Sequence, residues 1–463
     1  MRLYAKSAAL AGCLLIMLWS AVAMADPSAL IMPRSTIYIY QERDIFGDIL
    51  DRTRGTQELS LAGWGTEGPL EYRVFVFTRL YGEFGRDDTE TQLMGEQGRV
   101  FADLMIAQVE FPRIFNAIDI NIGRQMLLDE AGLALQDGLK LTMRRDWYWG
   151  ASVFVGSPVR NIDNRSLRRL EPAAPNNNPF ALEAPLPEDT LPWGVTLGAS
   201  VFLDNFRYSY AKVSWRRTWS DGDIEEDRLA WGVRQDLFDR LLSIATDGEF
   251  NFYTMELQRF EGSLALRAWG MELGAAYGYL MPLFPAQSIF TIFPFNPHKY
   301  LQCHVSSRIG RQWWLSADWT RRFYDEGSYF PVRFGEDGNF ADEISARVRY
   351  MSAYLPLSVT LYGIGAYGYG GDYALGGVRA SYTWLDGELR TTLGGVVQYY
   401  NEVTWYDELL PGGAGGVGGG GVADITWYIV PEVGLRAMAE YNGNPVMERD
   451  FRMLIQIDVE AAP

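Results

Sequence analysis

The sequence predicts an all-β fold: a closed antiparallel transmembrane barrel of about 22 strands, with short turns at one end and long loops at the other. Three observations predict it. Apolar and polar residues alternate with period two along most of the chain, export features precede them, and short and long connections take turns between the alternating stretches. Such alternation gives a strand one apolar and one charged face. Ile118, Ile120 and Ile122 alternate with Asp119 and Asn121. Ile344, Ala346, Val348 and Tyr350 alternate with Glu343, Ser345, Arg347 and Arg349. Val433, Leu435, Ala437, Ala439 and Tyr441 alternate with Glu432, Arg436 and Glu440. A soluble sandwich also alternates, but its strands are shorter. Here the stretches run long and aromatic residues gather near their ends.

The N-terminal segment reads as a secretory signal. Arg2 and Lys6 form a positive start, Ala8 to Trp19 an apolar run too short to span a bilayer as a helix, and Ala23-Met24-Ala25 a small-x-small cleavage pattern. Residues 1–25 are thus expected to be removed, and 26–463 to form one barrel domain. Leu10-Ala11-Gly12-Cys13 also resembles a lipoprotein box. Few apolar residues precede Cys13, however, and the apolar run continues past it. No later run is long and apolar enough for a spanning helix.

Removing the signal leaves 438 residues and takes the formal charge from −17 to −19. This acidity argues against nucleic-acid binding. The basic residues are 37 Arg against 4 Lys. Arg keeps its charge in confined places and forks onto carboxylates, which suits a lumen wall; a compositional bias toward Arg is the other reading. Cys303 is the only cysteine after the signal, and His298 and His304 are the only histidines. Intrachain disulfides, thiolate zinc clusters and CxxCH haem sites are therefore not expected, and no cofactor is expected on this chain. The 15 Trp and 26 Tyr suit the two interfaces of a membrane.

Taken in order, the expected strands are 34–42, 56–64, 69–81, 98–110, 115–126, 134–145, 147–157, 192–203, 206–218, 227–237 and 240–249. They continue at 252–267, 270–281, 299–310, 313–323, 340–353, 356–369, 372–384, 388–402, 421–430, 432–443 and 447–459. The first strand and the split within 240–267 carry the weakest alternation; without such pairs the total is 20 or 18. Short connections fall at Gly65–Gly68, Phe111–Ile114, Arg145–Trp147, Asp204–Asn205, Phe238–Asp239, Trp269–Gly270, Arg311–Gln312, Tyr354–Pro356, Asp386–Gly387 and Pro431. Long ones fall at 82–97, 158–191, 282–298, 324–339 and 403–420. With both mature termini periplasmic, every long loop lands outside. The loop 158–191, centred on Asn176-Asn177-Asn178-Pro179, either folds inward or covers the mouth. The loop 282–298 is rich in Pro and Phe and is expected to pack down. Gly412–Gly421 reads as flexible; it lacks the Lys and helix of a phosphate-binding loop.

Catalytic chemistry finds little support. His304 and Ser306 are two residues apart on an expected strand, but nothing supplies a third partner. Asp87-Asp88 and Glu225-Glu226 read as solvated loop carboxylates. The stretch before the first strand is too short for the plug of an energy-coupled transporter. The lumen face remains. Alternation points Arg73, Arg79, Asp119, Lys212, Arg216, Glu343, Arg347, Arg349, Arg379, Arg390, Arg436 and Glu440 inward. It points Leu70, Val74, Val76, Val213, Trp215, Val348, Tyr382, Trp384, Leu435 and Ala437 to lipid. The reverse assignment would cost about 2–4 kcal/mol per Arg near the midplane.

Ile122-Gly123-Arg124-Gln125, then Asp137-Gly138-Leu139, then Phe154-Val155-Gly156-Ser157-Pro158-Val159 resembles a pattern of porin-like barrels. Alginate-export-type porins and the barrels of porin–cytochrome electron conduits show similar stretches. The resemblance implies that Arg124, Gln125 and Asp137 lie near the loop end of the fifth and sixth strands. Phe451–Val459 alternates well, but Glu460-Ala461-Ala462-Pro463 replaces the usual terminal aromatic. The expected function is a channel of the bacterial outer membrane with no catalysis of its own. The alternative is a sheath around a multihaem c-type cytochrome that carries electrons across the membrane. The expected partners are outer-membrane lipid, the barrel-assembly machinery, and small polar solutes or that cytochrome.

Overall fold

The computed structural model describes residues 29–43, 49–67, 70–84, 100–145, 148–159, 194–220, 222–281, 297–324, 340–368, 372–401, 415–443 and 450–460. They form 22 strands. The first eleven are β1 (Ala29–Arg43), β2 (Ile49–Glu67), β3 (Leu70–Phe84), β4 (Val100–Ile114), β5 (Ile118–Asp129), β6 (Gly132–Arg145), β7 (Trp149–Pro158), β8 (Gly194–Phe206), β9 (Ser209–Ser220), β10 (Asp223–Leu237) and β11 (Leu242–Asn251). The others are β12 (Glu256–Ala268), β13 (Met271–Leu280), β14 (His298–Ile309), β15 (Trp313–Tyr324), β16 (Phe340–Met351), β17 (Leu357–Gly368), β18 (Asp372–Trp384), β19 (Leu389–Asn401), β20 (Gly415–Val430), β21 (Val433–Gly443) and β22 (Asp450–Val459).

Each strand pairs antiparallel with the next, and β1 pairs with β22 from Arg34↔Asp458 to Tyr40↔Arg452. The sheet therefore closes on itself and keeps no free edge. A round barrel of this strand number is roughly 40 Å across, backbone to backbone, at ordinary strand spacing and tilt. Both chain ends of the barrel, at Ala29 and Val459, lie at the end that carries the short turns 115–117, 207–208, 238–241, 269–270, 310–312, 352–356, 385–388 and 431–432.

The expected strands and the observed ones correspond one to one, including the weak first strand and the split at 252–255. Two turns move. β4 runs on to Ile114 across a register shift, so the turn is 115–117, with Phe115 and Asn116 at φ 52° and 60°. β8 likewise runs on to Phe206 through an irregularity after Leu203, and the turn becomes 207–208 rather than Asp204–Asn205.

The glycine run is a larger correction. β20 begins at Gly415, inside the stretch expected to be flexible. Its backbone pairs with β19 from Asn401↔Gly415 to Gly395↔Gly421. The ladder supplied by the neighbouring strand imposes the conformation that side chains there do not favour. Glu225-Glu226 are also corrected: both lie in β10, not in a loop, and inward alternation brings Glu226 to arginine partners described below. The expected signal 1–25 with Cys13, most of each long connection, Asp87-Asp88 and Ala461-Ala462-Pro463 lie outside the described residues.

Candidate functional site

Residues paired across neighbouring strands share a face of the sheet. One row runs Arg308, Trp314, Arg349, Thr360, Arg379 and Gly394 across β14 to β19. Followed round the ring, the register places the whole set read as inward on one face, and the set read as lipid-facing on the other. The charged face is the concave one. On it, Lys140, Ser152, Ser200, Lys212, Arg234 and Asp247, from six consecutive strands β6 to β11, wall a cavity of about 570 Å³. The convex face carries rows such as Val74, Val109, Ile122 and Leu139, or Leu361, Val348 and Leu315.

The β5–β6 hairpin builds the floor of that cavity. β5 pairs with β4 only as far as Arg124↔Ala107, while it stays paired with β6 to the tip at Asp129↔Gly132. From Arg124 on, the hairpin therefore leaves the wall. The bend falls at the register partners Gly123 and Gly138. Gly123 has φ +112°, and a Cβ there would stand 2.2 Å from the Ala107 carbonyl oxygen; one on Gly138 would stand 2.2 Å from that of Val155. Only glycine satisfies both demands. On the convex side, Arg124 forks onto Asp137 at 2.8 and 2.7 Å and donates Nη1 to the Leu104 carbonyl at 2.8 Å. That carbonyl belongs to the part of β4 that β5 has left. Arg124 thus satisfies the backbone that the bend exposes.

The tip, Asp129 to Ala131, comes to rest on β9, three strands beyond β6. Lys212 Nζ and Ser214 Oγ each lie 2.8 Å from Glu130 Oε2. Arg216 Nη2 donates to the Ala131 carbonyl at 2.7 Å and Nη1 to the Gly132 carbonyl at 3.2 Å, with Asp129 at 3.5 Å. From Arg216 an ion chain continues to Glu226 at 2.9 Å, then Arg228 at 3.1 Å and Glu249 at 3.0 Å. Arg216 is 3% exposed. It faces inward, as alternation expects, but the tip covers it. Its observed contacts are those of a clamp.

The wall from β14 to β19 differs. Arg308, Arg347, Arg349, Arg379 and Arg390 all face inward, are exposed, and take part in no ion pair among the described residues. Arg308, Arg349 and Arg379 stand on alternate strands of one row, about 10 Å apart at ordinary strand spacing. By contrast, Arg79 is paired with Glu58 at 2.9 Å and Arg436 with Asp424 at 2.6 Å. Arg73 holds Glu71 at 2.9 Å, and Glu343 holds Arg322 at 3.0 Å. Asp119 lies 3.5 Å from Arg144, and Glu440 accepts from Asn442 at 2.7 Å.

His304 faces inward on β14. Its Nε2 lies 3.1 Å from Glu272, which also pairs with Arg267 at 2.6 Å. A Cβ on Gly274, its partner on β13, would stand 1.8 Å from the ring, so the imidazole lies flat over that glycine. No hydrogen bond joins His304 to Ser306 among the described residues. No group of His, Cys, Asp and Glu among them is arranged to hold a metal ion.

The hairpin clamp was not legible as a site. Gln125 and Leu127 are buried while Met126 and Leu128 are exposed, a pattern that the run Met126-Leu127-Leu128 does not disclose in sequence. The only signal was the pair of glycine motifs, Gly123-Arg124-Gln125 and Asp137-Gly138, which prove to be the hinge.

No protein-family model and no curated protein matches the chain. Solved structures match over most of its length. OccAB2 of Acinetobacter baumannii is 9% identical, covers 93% of this chain and 97% of its own, and gives a TM-score of 0.45. The outer membrane protein opdK of Pseudomonas aeruginosa is 10% identical, covers 93% and 98%, and gives 0.44. The translocation pore of the P pilus usher PapC is 8% identical, covers 93% and 99%, and gives 0.47. Likenesses at this level leave the fold to rest on the closed register of the chain itself.

Proposed function

We propose that this chain is a channel of the bacterial outer membrane, which passes small polar solutes through a hydrated lumen and performs no catalysis. One observation carries this reading: a closed ring of strands with an apolar convex face and a concave face crowded with Arg and carboxylates. Arg on the convex face would cost about 2–4 kcal/mol each at mid-bilayer, whereas water in the lumen solvates them. The termini and short turns face the periplasm, and the long connections face outside. Outer-membrane lipid and the assembly machinery are its partners.

The unpaired arginines of β14 to β19 favour anions in the path. In the same sector Glu343 is paired with Arg322, and Asp318 is the inward carboxylate with no ion pair among the described residues, so five free arginines leave this sector positive. A hairpin folded into the lumen and clamped there favours a narrowed aqueous path over a sheath fitted around a cytochrome. The test is conductance of the purified chain in planar bilayers under a salt gradient. Channel steps with a reversal potential on the anion side support the reading; a folded barrel that conducts nothing opposes it.

A further inference from the structure

Two places on the convex face carry the same arrangement. On β9, Trp215 and Arg217 flank one inward residue; on β15, Trp319 and Arg321 do the same. Each Arg stands directly across from an aspartate on the next strand, Asp227 on β10 and Asp342 on β16. The Trp Nε1 donates to Oδ1 of that aspartate, at 2.9 Å in one place and 3.0 Å in the other. The Arg reaches the other oxygen: Arg217 Nη2 pairs with Asp227 Oδ2, and Arg321 Nη2 with Asp342 Oδ2 at 2.5 Å, while Arg321 Nε also donates to Asp342 Oδ1 at 2.8 Å. Each guanidinium also lies over its own Trp ring, 5.7 Å from the centroid in both places.

They also occupy corresponding places along their strands. Arg217 and Arg321 each stand three residues before the end of their strands, at the end with the long connections. Toward the short turns the same face is apolar: Val213 and Ala211 on β9, Ala317, Leu315 and Trp313 on β15. Asp227 is 3% exposed and Asp342 0%, so each carboxylate is sealed behind indole and guanidinium. What faces outward is a neutral plate with an apolar ring and a polar tip. Such plates are stable where hydrocarbon meets headgroups and are costly deeper in lipid.

The two clusters sit six strands apart in a ring of 22, about a quarter of the way round. A bilayer surface meets both at one level. We propose that these Trp-Arg-Asp clusters are interface anchors, which hold the long-connection end of the barrel at the headgroup level of one leaflet. This rests on the membrane reading above and adds where the bilayer ends.

The chain provides a probe. Cys303 is exposed on the convex face of β14, across from Trp319. Nitroxide labels are placed at Cys303 in a Cys13→Ser background, and at Leu315→Cys or Phe323→Cys with Cys303→Ser added. The refolded full chain in phospholipid vesicles is read by the ratio of oxygen to nickel-chelate collisions. The expected ratio is high at Leu315, lower at Cys303 and lowest at Phe323, beyond the Arg321 level. A Phe323 label as lipid-buried as Leu315 overturns the proposal. A Leu315 label that reads as aqueous instead overturns the membrane reading itself. Replacing all four charges (R217L/D227L/R321L/D342L) is expected to sink the Phe323 label toward the hydrocarbon. An unchanged ratio in that variant, with the barrel folded, also overturns the proposal.

Discussion

Arg216 shows how one side chain turns a wall position into a clamp. It sits under the hairpin tip, donates to two backbone carbonyls and pairs with Asp129 and Glu226. Removing one partner of such a buried set leaves the others uncompensated, at a cost of about 3–5 kcal/mol. Arg216→Met is therefore expected to free the tip while the ring of strands remains closed. Single-channel recordings should show a larger, noisier conductance than the parent. An unchanged conductance would mean that the tip does not narrow the path. Alternation puts this residue on the inward-read face. It could not show that the residue is covered, because the covering segment arrives from a strand pair some eighty-five positions away in the chain.

At the scale of elements, the hairpin hinge makes the sharper case. β5 and β6 bend inward because Gly123 and Gly138 face each other at the point where β4 is left behind. Gly123→Val puts a branched Cβ at φ +112°, 2.2 Å from a backbone oxygen. It is expected to block the bend. Cysteines at Glu130 and Ser214, whose side chains touch in the parent, should cross-link there on oxidation and fail to do so with Gly123→Val. Cross-linking at parent yield in the variant would show that the bend does not depend on glycine. Most strands were readable because each has one apolar and one polar face, and period two records that difference. The hairpin was not, since β5 and β6 stay paired with each other whether they line a wall or leave it. The first residues of β20 were read as flexible for the opposite reason: they carry almost no side chains, and their order comes from β19.

For the whole molecule, closure decides the rest. A ring with no free edge, apolar outside and charged inside, defines an axis, two ends and a lumen. The orientation proposed here gives protease or label access at residues 402–414 in intact cells and protection at Asp386, in the turn between β18 and β19. The opposite pattern would invert the barrel. Charge within the lumen is uneven, with paired groups over most of the wall and free arginines from β14 to β19. An open, charged lumen shows itself in the ion selectivity of the purified protein in planar bilayers. Stepwise conductance that prefers anions is expected, with a shift of the reversal potential toward cations in R347E/R349E. A folded, inserted barrel that conducts no ions, or one whose reversal potential is the same with and without those two charges, would contradict it.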